Sequence, residues 1–235
     1  MLKEPLEYNR MQPETLDAMW GAIAKNKQPF VDYLNRKAKM LGKEKMDWYD
    51  LQAPLSSDNE SLSYNDGAQF ILKHFAKFGQ EMTSFAKKAF EKAWIEAEDR
   101  PGKRPGGFCT SLPLSEESRI FMTYDGSMSS VATLAHELGH AFHSHTLKSM
   151  HQLNRNYAMN VAETASTFAE AIVADATVKE ANSSDQKISL LEDKLQRSVA
   201  MFMNIHTRFL FETRFYEERK EGLVSASRLN ELMSE

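Results

Sequence analysis

Apolar residues recur three and four positions apart over most of this chain, the period of amphipathic helices. QPETLDAMWGAIAK reads as a helix opened by Pro13, whose fixed φ suits a first turn, with Glu14 complementing the helix dipole. A second helix is expected from Gln28 to about Leu41, ended by Gly42, and two more over Asn65–Phe78 and Gln80–Glu96, separated by Gly79. Between these pairs DWYDLQAPLSSDN sustains no period and reads as a loop or linker. The pattern changes at DRPGKRPGGFC, too rich in Pro and Gly for a helix. GGFCTSL and SRIFMTY alternate as strands of a small β-ribbon joined across PLSEE, and YDGSMSS reads as the loop to the next helix. From Ser130 onward the helical period returns. Its longest run is Gln186 to about Glu221, with Leu191, Leu195, Phe202, Ile205 and Phe209 on one face, and Ser225 is placed to cap a last helix. The expected fold is mainly α, with residues 1–100 a helical region and 101–235 carrying the ribbon and the helices after it, together one continuous domain.

Composition narrows the function classes. With 235 residues, 42% of them hydrophobic, the chain can bury a sizeable core. A net charge of −4 with both signs interspersed leaves no basic footprint for nucleic acid or an anionic membrane. No window approaches the ~18 to 20 apolar residues of a membrane span, and MLKEPLEYNR lacks a signal peptide's apolar core. The single cysteine, Cys109, allows no intrachain disulfide and reads as an inert buried thiol. The expectation is a soluble cytoplasmic protein with neither nucleic-acid nor membrane partners.

Chemistry concentrates in VATLAHELGHAFHSH. His136 and His140 are four apart and project from one face of a helix, with Val131, Leu134, Leu138 and Phe142 on the other. Ser129 or Ser130 is placed to cap the start. This HExxH spacing makes the histidines a two-nitrogen claw for Zn2+, one ion per chain, with Glu137 turned toward the attacking water as general base. Zinc held by three protein ligands keeps a fourth position for water, lowering its pKa from about 15.7 to about 7. The extended pattern HExxHxxGxxH is excluded, because His143 and Thr146 stand where it needs Gly and His. A glutamate on a later helix is the remaining common solution for the third ligand, and NVAETASTFAEAIVAD offers Glu163, which shares a face with Ser166, Thr167, Glu170 and Ala174. Glu170 is placed to accept from a ligand imidazole N–H, and His143 to stand as wall or support beside the claw.

TLAHELGHAFHSH followed by AETASTFAEA resembles the oligoendopeptidase F branch of the thimet oligopeptidase family of zinc peptidases. MQPETLDAMWGAIAKNKQPFVDYLNRKAKMLG, WYDLQAPL and KRPGGFCTSLPLSEESRIFMTYDGS resemble the region preceding the site in those enzymes, so the likeness covers nearly the whole chain. It implies a zincin-type catalytic domain, a bowl-like endopeptidase acting on short unfolded peptides, with His136, His140 and Glu163 as ligands and Glu137 as base. It also implies that a strand before the active-site helix pairs with the substrate backbone, mapped here onto Gly106–Thr110 and Phe121–Tyr124. Two departures stand out: Ser130 replaces an aspartate common in relatives, and the family's distal histidine and tyrosine motif, which binds substrate and stabilises the oxyanion, lies beyond SRLNELMSE. The chain is therefore expected to be a truncated piece that self-associates through exposed apolar surface. The alternative to a working peptidase is a catalytically incomplete zinc-binding helical module for peptide binding or association. In that case a fourth protein ligand, His143 being nearest, would close the open position. A helical interaction protein with incidental histidines would hold no metal.

Overall fold

The computed structural model describes residues 2–51, 53–55 and 61–234; Gln52 and residues 56–60, which fall in the expected linker, lie outside the described residues. The chain divides into two compact units, Met1–Leu55 with Leu191–Glu235, and Ser56–Leu190. Residue 100 falls inside the second. Among the described residues no helix is long and apolar enough to cross a membrane.

The first unit is helical. It holds α1 (Lys3–Tyr8), α2 (Pro13–Asn26) and α3 (Gln28–Met40), with Pro at the start of both α2 and α3 and Gly42 following α3 at φ +73°. A buried ion pair ties its two chain segments: Lys37 Nζ lies 2.6 Å from Glu192 Oε1, and also donates to the Leu51 carbonyl at 2.9 Å. Glu192 Oε2 accepts from the Leu55 amide at 3.1 Å, so the pair is supported by hydrogen bonds, as buried charges require. Trp20 stacks on His206 at 4.3 Å between ring centres.

The second unit contains α4 (Tyr64–Phe78), α5 (Gln80–Glu91), three strands, α6 (Met128–Thr146) and α7 (Met159–Glu180). The expected helix Gln80–Glu96 ends five residues early. Ala93 takes φ +51°, Trp94 turns into the core, and Ile95–Glu96 form β1. Apolar residues at Trp94 and Ile95 suit either a helix or a buried strand, and periodicity cannot separate the two. The ribbon strands are β2 (Gly107–Leu112) and β3 (Glu117–Met122), antiparallel with Gly107 opposite Met122. β1 adds in parallel to β3, giving the order β1-β3-β2. The ribbon is thus a three-stranded sheet with β3 central and β2 at an edge. Its buried side, including Ile120 and Met122, packs in one cluster with Ile71, Phe75, Val131 and Leu138.

The run expected from Gln186 to Glu221 is interrupted. α8 (Ser184–Val199) and α9 (Ile205–Arg219) are joined by a π-helical turn at Ala200–Asn204, which slips the hydrogen-bond ladder by one residue. Ser225 caps α10 (Ala226–Ser234), its Oγ accepting from the Arg228 amide at 3.1 Å.

The C-terminal ends of α4 and α7 are linked through charge. Lys73 and Lys77 reach Glu180 at 2.6 and 3.3 Å, and the Lys73 ammonium foremost holds the Glu180 carboxyl down at about 2, against 4.5 for the free group. A carboxylate with a lower pKa folded than unfolded adds stability above pH 4.5, and loses it as pH falls toward 2. The melting temperature of the unaltered chain should therefore drop more steeply than that of Glu180→Gln across this window. The gap should be small and should shrink in high salt, because the pair is exposed. Parallel acid limbs would remove Glu180 from the acid response.

Candidate metal centre

α6 starts at Ser127, whose Oγ accepts from the Ser130 amide at 3.1 Å. Ser129 and Ser130, the expected caps, lie inside the first turn. The Ser130 hydroxyl instead bonds Asp125 Oδ1, fixing the loop that enters the helix. Val131, Leu134 and Leu138 are fully buried on the core side of α6. That burial fixes the helix rotation and leaves His136 and His140 together on the opposite face, their ring centres 4.9 Å apart.

The third group arrives on α7, and the spacing between the helices is set by Gly139. A Cβ at this position would stand 2.7 Å from both the Ala165 carbonyl oxygen and Ser166 Cα, and 2.9 Å from Ala169 Cβ. Hydrogen at Gly139 facing small side chains at Ser166 and Ala169, both fully buried, lets the two backbones meet directly. Glu163 Oε2 then lies 3.2 Å from His136 Nε2 and 3.3 Å from His140 Nε2. Donors bound at about 2.0–2.1 Å to a tetrahedral ion stand roughly 3.3 Å apart. The two nitrogens and one carboxylate oxygen, all within 4.8 Å of one another, fit such an ion.

The surroundings orient each donor. Glu170 Oε2 is 3.1 Å from His136 Nδ1, which turns the Nε2 lone pair toward the other donors and raises the His136 pKa. Burial lowers that of His140. The Glu163 side chain is 55% exposed, and its Oε2 accepts at 2.7 Å from the hydroxyl of buried Ser166. Ser166 was visible in the sequence as a neighbour on that face, but its hydrogen bond to Glu163 was not. Glu137, also buried, has its pKa raised by desolvation first, and its Oε2 accepts no hydrogen bond from the described residues. It stands against β2: a Cβ at Gly107 would be 3.0 Å from Glu137 Oε1 and 3.3 Å from Thr133 Cγ2. A glycine inside a strand signals such an approach, and Gly107 carried that signal unread.

The other candidates are placed differently. The His143 ring stacks on Tyr157 at 4.4 Å and stands outside the donor trio; burial lowers its pKa. Tyr124 turns to α4: its hydroxyl donates to the Leu62 carbonyl at 3.1 Å, over Gly67, and burial pushes its pKa up to about 12. Gly106, at φ +98°, precedes β2 and accepts from the Thr123 amide. Of the two stretches expected to pair with a peptide, Phe121 and Met122 belong to central β3, with their hydrogen bonds committed within the sheet, while Gly107–Thr110 lie on the edge strand. Burial pushes the Cys109 thiol up to about 12, the state of an inert cysteine.

A helix offering two imidazoles beside an edge strand, with a carboxylate from the next long helix, defines the zincin class of site. The chain belongs to peptidase family M3, whose model matches residues 24–235. It is 30% identical over 207 residues to the chromosomal oligoendopeptidase F of Lactococcus lactis subsp. cremoris, which covers 86% of this chain and 34% of the relative. It is 28% identical over 193 residues to oligopeptidase PepF of Bacillus subtilis (strain 168), covering 81% of this chain and 29% of that one. The chain thus spans about a third of the length of the curated relatives it matches. A crystal structure of a peptidase from Chlamydophila abortus superposes with a TM-score of 0.76 over 92% of this chain and 36% of the other, at 22% identity. PZ peptidase A with an inhibitor gives 0.64 over 79% and 34%, at 20% identity.

Two substitutions test how the donors are held. Ser166→Ala should weaken Zn2+ binding between about tenfold and a hundredfold in chelator competition, with little change in the melting of the metal-free chain. Gly139→Ala should destabilise the fold by about 2 kcal/mol and weaken metal binding as well, because the overpacked crossing moves the donors apart. Unchanged metal affinity in both would show that the crossing does not set the donor spacing.

Proposed function

We propose that this chain is the catalytic region of a zinc-dependent oligoendopeptidase that hydrolyses internal bonds of short peptides, with His136, His140 and Glu163 as zinc ligands and Glu137 as general base. The observation that carries this reading is the convergence of three donors within 4.8 Å of one another beside a buried carboxylate whose Oε2 accepts no hydrogen bond from the described residues. Zinc rather than a harder ion is favoured by the two imidazole donors. A zinc ion held there supplies Lewis acidity, which acidifies water and polarises a carbonyl. Glu137 takes the proton of the attacking water at its carboxylate and passes it to the leaving amine; its raised pKa brings the group nearer neutrality, where both transfers are efficient. Glu170 holds His136 in the tautomer that keeps Nε2 free to ligate. The free edge of β2 beside Glu137 is suited to extended peptides, through main-chain hydrogen bonds that require no particular side chains.

The test is metal content and cleavage of an internally quenched short peptide, for the unaltered chain and for Glu137→Gln. About one Zn2+ per chain is expected in both, with cleavage in the unaltered chain and a rate lower by about 10²- to 10⁴-fold in the variant. One ion in both proteins and cleavage in neither would favour the incomplete zinc-binding module. Absence of bound metal would overturn the reading.

A further inference from the structure

Beyond the donor trio, α6 continues through Ser144 to Thr146, Leu147 and Lys148 follow in the turn after it, and there the chain meets the far end of β2. Ser111 and Leu112 on the strand, with Ser144, Leu147, Lys148, Arg155 and Tyr157, line a pocket of about 290 Å³. The pocket adjoins the metal centre through Tyr157, whose ring lies on His143, one turn beyond His140. Gly107 sits against Glu137 and Ser111 lines this pocket, so β2 runs along the helix from the base to the pocket. Four strand residues at about 3.3 Å each span roughly 13 Å. An extended peptide on this edge with a bond beside Glu137 therefore brings a residue about four positions away to the pocket mouth.

The pocket's charge indicates which residue. The Lys148 ammonium donates to the Glu116 carbonyl oxygen, and the Arg155 guanidinium to the carbonyls of Met150 at 3.0 Å and Lys148 at 2.7 Å. These acceptors are neutral: they hold the two cations in place without cancelling their charge. Of the two acidic residues in the lining, Glu117 is paired with Arg119 at 2.7 Å, and Glu116 is exposed at the hairpin turn. We infer that this pocket is a carboxylate-recognising subsite that reads an acidic group, a Glu or Asp side chain or the C-terminal carboxylate, about four residues from the peptide bond held at Glu137. The inference rests on the peptide-cleaving reading above, and gives it a substrate class: short peptides with a negative charge at one set distance from the cleaved bond.

The test is fluorescence anisotropy with labelled peptides of about nine residues and the zinc-loaded chain carrying Glu137→Gln, so that bound peptides persist. One pair differs only in a free or amidated C-terminus. A second series, amidated throughout, scans Glu against Gln along the peptide. The acidic member should bind about tenfold more tightly, the strength of one charge-assisted hydrogen bond, at one register only. Preference confined to the free terminus would identify the terminal carboxylate, and preference that follows the Glu would identify a side chain. Lys148→Gln and, separately, Ser144→Glu, which leaves both cations and their loop contacts in place, should bring the ratio near one by weakening the acidic peptide, with zinc content unchanged. Equal binding of acidic and neutral peptides, or a ratio that survives both substitutions, would overturn the subsite alone. Failure of the zinc-loaded chain to bind any peptide would overturn the peptide-cleaving reading and this inference with it.

Discussion

The close crossing of α6 and α7 is the constraint on which the metal centre depends. Two of the donors are fixed relative to each other by helix geometry, since His136 and His140 share a rigid turn. The third is not, because Glu163 extends from a different helix on an exposed side chain. Its position follows from how near α7 comes, and Gly139 against Ser166 and Ala169 is what lets the backbones meet. Any side chain at Gly139 adds bulk where a carbonyl oxygen and a Cα already stand, with no flexible group there to yield. The same crossing places Glu170 two turns further along α7, against His136 Nδ1. One contact between small residues thus sets both the ligand triangle and its outer support.

Burial divides the charged groups around this crossing into different tasks. Glu170 and Glu163 each have a hydrogen-bond partner in the site, and Ser166 spends its hydroxyl on the latter. Glu137 has no such partner at Oε2 among the described residues and is desolvated, which raises its pKa above that of a free carboxylate. A group that ligates a metal must stay ionised, while a group that shuttles a proton must change state readily. On the proposed reading, three carboxylates on two helices would be separated into these roles by their partners and burial rather than by residue type. Glycine at 107 extends the same logic to the strand: without a Cβ there, the main chain of β2 runs close to Glu137.

Much of this was legible in the sequence, because the relevant signals are periodic. The ligand and core faces of α6 separate in the four-residue spacing of His136/His140 and of Leu134/Leu138, and the alternation of SRIFMTY marked β3. What escaped were features with no period. β1 has two residues, too short to alternate, and its pairing with β3 depends on a backbone reversal at Ala93. Tyr124 ends the alternating run SRIFMTY, onto which the family resemblance maps a peptide-binding strand, but one residue past Met122 the chain leaves the sheet, and the ring is captured by the Leu62 carbonyl and the gap over Gly67. The cap of α6 was misplaced by two or three residues because serines stand at 127, 129 and 130, and only the backbone direction selects among them. The two glycines that matter most, Gly107 and Gly139, carry their meaning in what is absent, and that can be read only when the opposing surface is known.

Holding an ion and hydrolysing a peptide place different demands on such a site. The first needs three donors at fixed separation, and residues 136–170 of one helix pair supply them together with their supports. The second also needs dipoles aimed at the oxyanion that develops on the substrate, and a single donor of that kind is worth about 3 to 4 kcal/mol of barrier. On the proposed reading, none of the three donors or their supports would be available for that role, since each would be committed to the metal or to another donor. Metal affinity therefore reports the α6–α7 crossing, whereas turnover reports the crossing and the oxyanion donors multiplied together. A substitution at Gly139 acts on both, and a change confined to the peptide cleft acts on turnover with the metal left in place.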